Sequence, residues 1–250
     1  MTMIKIENLT KKYGNLTAVK DLTLHINRGE LFTFLGPNGA GKTTTIKVMT
    51  GLLRPTKGAV YINNFDVQKD YLKAKQVIGY IPDQPYVYEK LTGREFLNFI
   101  CDLYEIGKNH REEKMLYYFN LFDLTENIDV LVENYSHGMR QKLVFTAALI
   151  HNPEVIIIDE PMVGLDPQSA RLVKNLLKNE AKNGKTVFLS THTLSIAEEL
   201  ADRIGIIKEG QLIFDGTLTQ LRSQTTAQGN LEDLFLKLTG DEKKEKKLNN

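Results

Sequence analysis

The sequence has almost no cysteine, no tryptophan and almost no net charge. Its one cysteine, Cys101, excludes a disulfide within the chain. Cys101 lies in an apolar helical pattern, so we expect a packed core thiol in a cytosolic protein. Lys and Arg total 32 against 31 Asp and Glu, which gives a net charge of +1. That balance argues against a protein that acts mainly by coating nucleic acid or anionic lipid.

Long hydrophobic runs are also missing. No stretch of about 18 apolar residues occurs, so no transmembrane helix is predicted. The first ten residues show no basic segment followed by an apolar stretch, so no secretory signal is expected. The 250 residues are 42% hydrophobic and 25% charged, which is ordinary globular usage and excludes wholesale disorder.

Three sections of different character follow one another along the chain. Residues 1–80 are patterned mostly as strands and turns, residues 85–150 as helices, and the residues after them again as buried strands. In the first section the apolar run at residues 30–36 ends in glycine, and a helical run follows at residues 43–53. This strand, glycine turn and helix form the start of a βα unit and predict a parallel sheet. Later, Glu209-Gly210 predicts a hairpin turn.

The strongest chemical signal is the glycine-rich segment GPNGAGKT at residues 36–43, which fits G-x-x-x-x-G-K-[ST]. Its glycines let successive N–H groups converge on a phosphate, and the next helix adds its positive dipole end. Lys42 is expected to reach the β- and γ-phosphates, and the Thr43 hydroxyl to bind Mg²⁺. Chance would produce the pattern in roughly 1% of chains of this length, judging from residue frequencies.

A second signal is an apolar strand, VIII, followed by Asp159 and Glu160. Acids at a strand's carboxyl end lie in the crevice where α/β sheets bind ligands. Asp159 suits the Mg²⁺ shell, and Glu160 is then placed to polarise a water for attack on the γ-phosphorus. A strand ending in an acid is often only a turn, so the pairing with the glycine-rich loop carries the functional interpretation.

Between these segments lies YSHGMRQ, residues 135–141, which resembles the signature motif of ABC-type ATPases, usually LSGGQ. Four further motifs of that family match in order. They are Tyr13 as the aromatic that stacks on adenine, Pro82-Asp83-Gln84 at the Q-loop, Gly164-Leu165-Asp166 at the D-loop, and Ser190-Thr191-His192 ending in the switch histidine. The resemblance covers residues 4–216.

The resemblance implies an α/β fold of three parts: a P-loop NTPase (RecA-like) core, an N-terminal antiparallel β subdomain and an inserted α-helical signature subdomain. We expect the ABC ATPase domain at residues 1–222, with the helical subdomain at about 85–150. Residues 223–250 are expected to form a C-terminal helical extension and a charged tail.

The resemblance also implies a site shared by two chains, in which two domains hold two ATP molecules head to tail. Ser136 and Gly138 of one chain would touch the γ-phosphate bound by the other chain's P-loop. The implied catalytic residues are Lys42, Glu160 and His192, and the implied metal ligands are Thr43, Asp159 and Asp83. The implied ATP contacts are Tyr13, Val19, Gly36, Pro37, Asn38, Gly39, Ala40, Gly41, Lys42, Thr43, Thr44, Ser136, Gly138 and Met139.

The sequence departs from the family's usual pattern in two places. Asp83 stands where glutamine is usual and Gln84 follows it, so the Q-loop residue is Asp83 or Gln84; a carboxylate can also hold Mg²⁺. In the signature, His137 replaces the first glycine and Met139 the glutamine. Ser136 remains, as does the second glycine, so we expect activity to be retained.

The resemblance favours an ATP-binding subunit of an ABC transporter, which hydrolyses ATP to drive substrate movement, with export favoured over import. It implies a separate membrane permease subunit, a second ATPase chain of the same or another kind, and a cytoplasmic position on the inner face of the membrane. The segment PYVYE, residues 85–89, is expected near the permease junction. The exporter type is favoured by GLDP, by the acid in the Q-loop and by NLEDLFLKLTG.

Two alternatives remain open. A soluble ABC-type ATPase acting on ribosomes or DNA would usually carry two cassettes or a long coiled-coil insertion, and this sequence shows one cassette and no such heptads. A nucleotide-binding regulator without turnover is disfavoured because Lys42, Glu160 and His192 are all present. No nucleic-acid partner is expected.

Overall fold

The computed structural model describes residues 1–223 together with Phe235, Leu238 and Gly240. The remainder of the predicted extension at 223–250 lies outside the described residues. In chain order the strands are β1 (Thr2–Tyr13), β2 (Leu16–Asn27), β3 (Leu31–Leu35), β4 (Lys57–Ile62), β5 (Phe65–Asp66), β6 (Ile78–Ile81), β7 (Val155–Asp159), β8 (Thr186–Thr191), β9 (Arg203–Lys208) and β10 (Gln211–Gly216). The helices are α1 (Lys42–Met49), α2 (Tyr71–Gln76), α3 (Gly93–Leu103), α4 (Lys108–Leu121), α5 (His137–Leu149), α6 (Pro167–Lys182), α7 (Leu194–Leu200) and α8 (Leu218–Ser223).

Two sheets carry the fold. A four-stranded antiparallel sheet has the order β2-β1-β4-β5, and a six-stranded sheet has the order β10-β9-β3-β8-β7-β6. In the second sheet β9, β3, β8, β7 and β6 run parallel, which confirms the parallel sheet predicted from the βα unit. Its central strands β3, β7 and β8 are buried along their whole length, as expected for strands covered on both faces.

The six-stranded sheet separates two hydrophobic cores. Val155 and Ile157 of β7 pack with the N-terminal sheet and α1, whereas Ile156 and Ile158 pack with the helical section. This division follows from the two-residue period of a strand. Cys101 lies fully buried in the second core, which confirms the packed thiol.

Local signals explain where the main helices start. Thr92 and Glu95 form a reciprocal capping box at α3, and Ser136 caps α5 by accepting a hydrogen bond from the Met139 N–H. Asp166 caps α6, whose first residue is Pro167. The predicted hairpin turn joins β9 to β10, with positive φ at both Glu209 and Gly210.

The helical section between β6 and β7 contains α3, α4 and α5. Taken together, the core, the N-terminal antiparallel sheet and this helical insertion confirm the predicted α/β fold class. Across the described part of the chain, no helix has the length and apolar character needed to cross a membrane.

Candidate active site

A cleft of about 350 Å³ lies at the carboxyl ends of the parallel strands. It brings together side chains from β1, the glycine-rich loop, the segment after β6 and the segment after β7. The predicted site residues that line it are Tyr13, Asn38, Gly39, Gly41, Lys42, Thr43, Thr44, Asp83 and Glu160. This is the position where ligands bind to open α/β sheets.

Lys42 is the cation at the centre of this cleft. Its side chain is only 6% exposed, and its Nζ donates hydrogen bonds to the carbonyl oxygens of Gly36 (2.8 Å) and Pro37 (3.3 Å). The Glu160 carboxylate lies 3.6 Å from Nζ. Burial lowers the pKa of Lys42, and the neighbouring carboxylates oppose that shift. The Lys42 ammonium is thus held beside the glycine-rich loop by two backbone carbonyls and the Glu160 carboxylate. The oxygens of a bound phosphate can take the place of these groups.

Gly41 gives the loop its shape. Its φ of 108° lies in the left-handed region, and a Cβ there would fall 2.5 Å from the carbonyl oxygen of Ala18. Only glycine satisfies both conditions. The loop therefore closes tightly against β2 before α1 begins at Lys42.

Asp159 ends β7, and only one of its two carboxylate oxygens accepts a hydrogen bond within the described part of the chain. The Ser190 hydroxyl donates to Oδ1, while Oδ2 is buried without a hydrogen-bond partner among the described residues. Burial raises the pKa of Asp159, and the hydroxyls of Ser190 and Thr43 act in the opposite direction. A buried carboxylate oxygen beside a threonine hydroxyl fits a hard divalent cation, which prefers oxygen ligands.

Glu160 is held in a defined position by three neighbours. Its Oε1 lies 2.9 Å from Nδ1 of His192 and 3.6 Å from Nζ of Lys42, and the Thr191 hydroxyl donates to Oε2 at 3.3 Å. Glu160 has a φ of 51°, which costs about 1 kcal/mol for a residue with a side chain. Strain of this kind at a carboxylate in a cleft is typical of functional sites.

The sequence is similar to that of known proteins over most of its length. The family model described as ABC transporter matches residues 19–163. The linearmycin resistance ATP-binding protein LnrL of Bacillus subtilis is 38% identical over 222 residues, which cover 89% of this chain and 71% of LnrL. The chain belongs to the ABC transporter family. The SkfA peptide export ATP-binding protein SkfE of Bacillus subtilis is 37% identical, covering 90% of this chain and 93% of SkfE.

Solved structures agree with this assignment. An ATP-binding subunit of an ABC transporter superposes with a TM-score of 0.89 at 31% identity, covering 95% of this chain and 99% of that one. A dimeric post-hydrolysis state of the ATP-binding cassette MJ0796, bound to ADP and Pi, gives 0.79 at 28% identity, with 86% and 99% covered. The chain is thus an ATP-binding subunit of an ABC transporter with ATPase activity. Such subunits dimerise and work with membrane permeases.

The signature residues of this ABC ATPase lie outside its own cleft. Ser136 caps α5, and neither it, Gly138 nor Met139 is among the residues lining the cavity beside Lys42. Ser136 is exposed, and the N–H groups of the first turn of α5 have no helical acceptors, which is the arrangement that favours an anion.

Several residues that were predicted to contact ATP do not line the cleft of this ABC ATPase. Val19 is fully buried in the core below the N-terminal sheet, and the adjacent Ala18 lines the cleft instead, because successive residues of β2 face opposite sides. Sequence reasoning missed Ala18 and Leu16, although both follow Tyr13 closely in the chain. Gly36, Pro37 and the buried Ala40 shape the loop without lining the cavity.

The two candidates for the Q-loop residue, Asp83 and Gln84, also differ in whether they line the cleft. Asp83 lines the cleft, and its carboxylate accepts a hydrogen bond from the Gln84 N–H at 2.9 Å. Gln84 is exposed and is not among the lining residues. Of the two candidates for the Q-loop residue, Asp83 is the one that lines the cavity.

Proposed function

We propose that this ABC ATPase hydrolyses ATP with Glu160 as the carboxylate that accepts a proton from the attacking water. The observation that carries the proposal is the position of Glu160, between the buried Lys42 and His192 at the end of β7. Lys42 exchanges its loop carbonyls for the β- and γ-phosphates of ATP. His192 orients the Glu160 carboxylate through Nδ1. Turnover by the purified chain with and without this carboxylate tests the assignment.

The nucleotide is proposed to lie along the cleft, with its adenine against Tyr13. The Tyr13 ring is 45% exposed, and Lys11 packs on it with Nζ 5.0 Å from the centroid. The exposed ring supplies a surface for stacking, while Asn38, Gly39 and Gly41 supply the backbone around the phosphates.

Mg²⁺ is proposed to bind between the buried Asp159 and the cleft residues Thr43 and Asp83. The free Oδ2 of Asp159, the Thr43 hydroxyl and the Asp83 carboxylate are oxygen ligands of the kind Mg²⁺ prefers. When bound, Mg²⁺ neutralises charge on the transferring phosphoryl group.

Asp159→Asn is expected to raise the Mg²⁺ concentration for half-maximal ATP turnover by about tenfold or more, because an amide oxygen is a weaker ligand than a carboxylate. The measurement is turnover against Mg²⁺ concentration at fixed ATP. Asp215→Asn, on β10, removes a carboxylate that pairs with Arg203 and should leave the Mg²⁺ dependence unchanged. An unchanged Mg²⁺ dependence in Asp159→Asn would remove Asp159 from the metal site.

Two chains are proposed to assemble head to tail, with the signature segment of one against the P-loop of the other. The exposed N-terminus of α5, with Ser136 and Gly138, would then meet the γ-phosphate bound by the second chain. The dimeric cassette among the structural relatives supports this arrangement. Mass spectrometry of the complex purified from native membranes tells whether the second chain is identical or different.

The permease is proposed to dock at an apolar cavity between the core and the helical section. This cavity of about 300 Å³ is lined by Tyr80 and Tyr86 on the core side and by Phe96 and Ile100 on α3. Tyr86 is 77% exposed, so a large aromatic surface is uncovered at the predicted junction. Relatives named for peptide export and linearmycin resistance support an exporter. We further propose that the ATPase is held on the cytoplasmic face of the membrane.

Tyr86→Ala is expected to weaken recovery of a polytopic membrane protein about thirtyfold when the tagged chain is purified from detergent-solubilised native membranes, since an interface aromatic that anchors binding contributes about 2 kcal/mol. Tyr117→Ala is the matched control, because Tyr117 is 59% exposed on α4 and away from this cavity. Equal recovery with both variants would move the docking site elsewhere. Recovery of ribosomes alone would favour the soluble alternative.

A further inference from the structure

The signature segment touches the D-loop of its own chain through a side chain that replaces the usual glycine. Gly164, in the D-loop at residues 164–166, has a φ of 79°. A Cβ built there would lie 2.1 Å from Cδ2 and 2.3 Å from Nε2 of His137. The imidazole ring therefore occupies the space beside the Gly164 α-carbon, and a side chain at position 164 would require the ring to shift.

The backbones of the same two elements also approach each other closely. A Cβ on Gly138 would lie 3.3 Å from the carbonyl oxygen of Gly164. The D-loop thus lies against the first turn of α5.

The D-loop is connected to Glu160 by a short folded segment. The Val163 N–H donates to the carbonyl of Glu160 at 3.3 Å, and the Leu165 N–H donates to that of Met162 at 3.4 Å. At its far end Asp166 accepts hydrogen bonds from the N–H groups of Gln168 and Ser169. The segment is therefore fixed at both ends, and His137 packs against its middle.

From this geometry we infer that His137 is a positioning residue, whose ring makes the segment after Glu160 follow movements of the signature segment. The inference rests on the proposed head-to-tail dimer, in which the signature segment of one chain contacts ATP on the other. When the signature segment contacts the ATP bound to the other chain, its movement reaches Glu160 of its own chain through the His137–Gly164 contact.

The test is a double-variant cycle with His137→Ala and Gly164→Ala, measured by steady-state ATP turnover. We expect kcat to fall about fivefold for His137→Ala and about tenfold for Gly164→Ala, which displaces the ring and adds backbone strain. The double variant should also lose about tenfold, not the product of the two losses, because both changes break one contact. KM for ATP should stay unchanged, since the cleft contacts are intact.

Gly184→Ala is the matched control, because Gly184 also has a positive φ (88°) but its nearest neighbour is the Arg28 side chain at 3.9 Å. Its effect should be the same in the wild-type chain and in the His137→Ala variant. His137→Phe retains a planar ring and should keep kcat within about twofold of the wild type, and this comparison needs no change at residue 164.

Multiplicative losses in the double variant, or equal turnover of the His137→Ala and His137→Phe variants, would overturn the inference. Absence of ATP turnover by the wild-type chain would instead contradict the proposed function, so the two failures are distinguishable.

Discussion

Glu160→Gln should lower ATP turnover by at least about a hundredfold while ATP binding is retained. The amide keeps the size of the carboxylate but cannot accept the proton of the attacking water, and general-base catalysis contributes about 10²–10⁴-fold. Binding should survive because Lys42 and the glycine-rich loop are unchanged. Phosphate release measures the turnover, and titration with a fluorescent ATP analogue measures the affinity.

The same variant should accumulate as an ATP-bound dimer, because the step that separates the two chains follows hydrolysis in the proposed arrangement. Size-exclusion chromatography with ATP measures this directly. Glu154→Gln is the matched control, since Glu154 immediately precedes β7 and Glu160 immediately follows it. Turnover should remain within about twofold of wild type in the control. Wild-type turnover in Glu160→Gln would exclude Glu160 as the base.

Gly41→Ala should reduce ATP affinity by at least about a hundredfold, which corresponds to about 2.7 kcal/mol. The added methyl would lie 2.5 Å from the Ala18 carbonyl oxygen, and the φ of 108° disfavours any side chain. The loop must then open, and its N–H groups no longer converge on the phosphates. Equilibrium binding of ATP measures the loss.

Gly29→Ala is the control for Gly41→Ala. It separates the effect of backbone strain alone from the effect of a steric clash in the glycine-rich loop. Gly29 has a φ of 75°, but its nearest neighbour, the Ala181 carbonyl oxygen, is at 3.5 Å, an ordinary contact. We expect a loss of about 1 kcal/mol in the free energy of unfolding and unchanged ATP affinity. If Gly41→Ala bound ATP as well as this control does, the steric account of the loop would be contradicted.

The part of the fold set by local pattern was predictable from the sequence. The apolar run of β3, the glycine-rich loop and α1 are consecutive, so their order predicted the parallel sheet. Strand β6 was not predicted, because its place depends on pairing Ile78 with Val155, more than seventy residues later in the chain. Helix α2, six residues long, is too short to show a helical period.

In the candidate site, too, the features formed by contiguous residues were predictable and those formed by packing were not. The glycine-rich loop and the acids after β7 were recognisable because their chemistry lies in contiguous residues. The choice of Ala18 over Val19 depends on which face of β2 turns to the cleft, and that is set by packing against β1. The fit of His137 over Gly164 was invisible in the sequence, since the start of α5 and the D-loop are separate segments of the chain that only the fold brings together.

The alternation of β7 between two cores limits how this gene can change. Val155 and Ile157 face one core, and Ile156 and Ile158 face the other. Loss of one codon within the strand would turn each of these side chains to the opposite core and shift Asp159 and Glu160 away from Lys42. Exchanges among valine, isoleucine and leucine leave that spacing untouched. The length of β7 therefore fixes both the packing of its side chains and the position of the two acids, so we expect insertions and deletions to be tolerated only outside this strand.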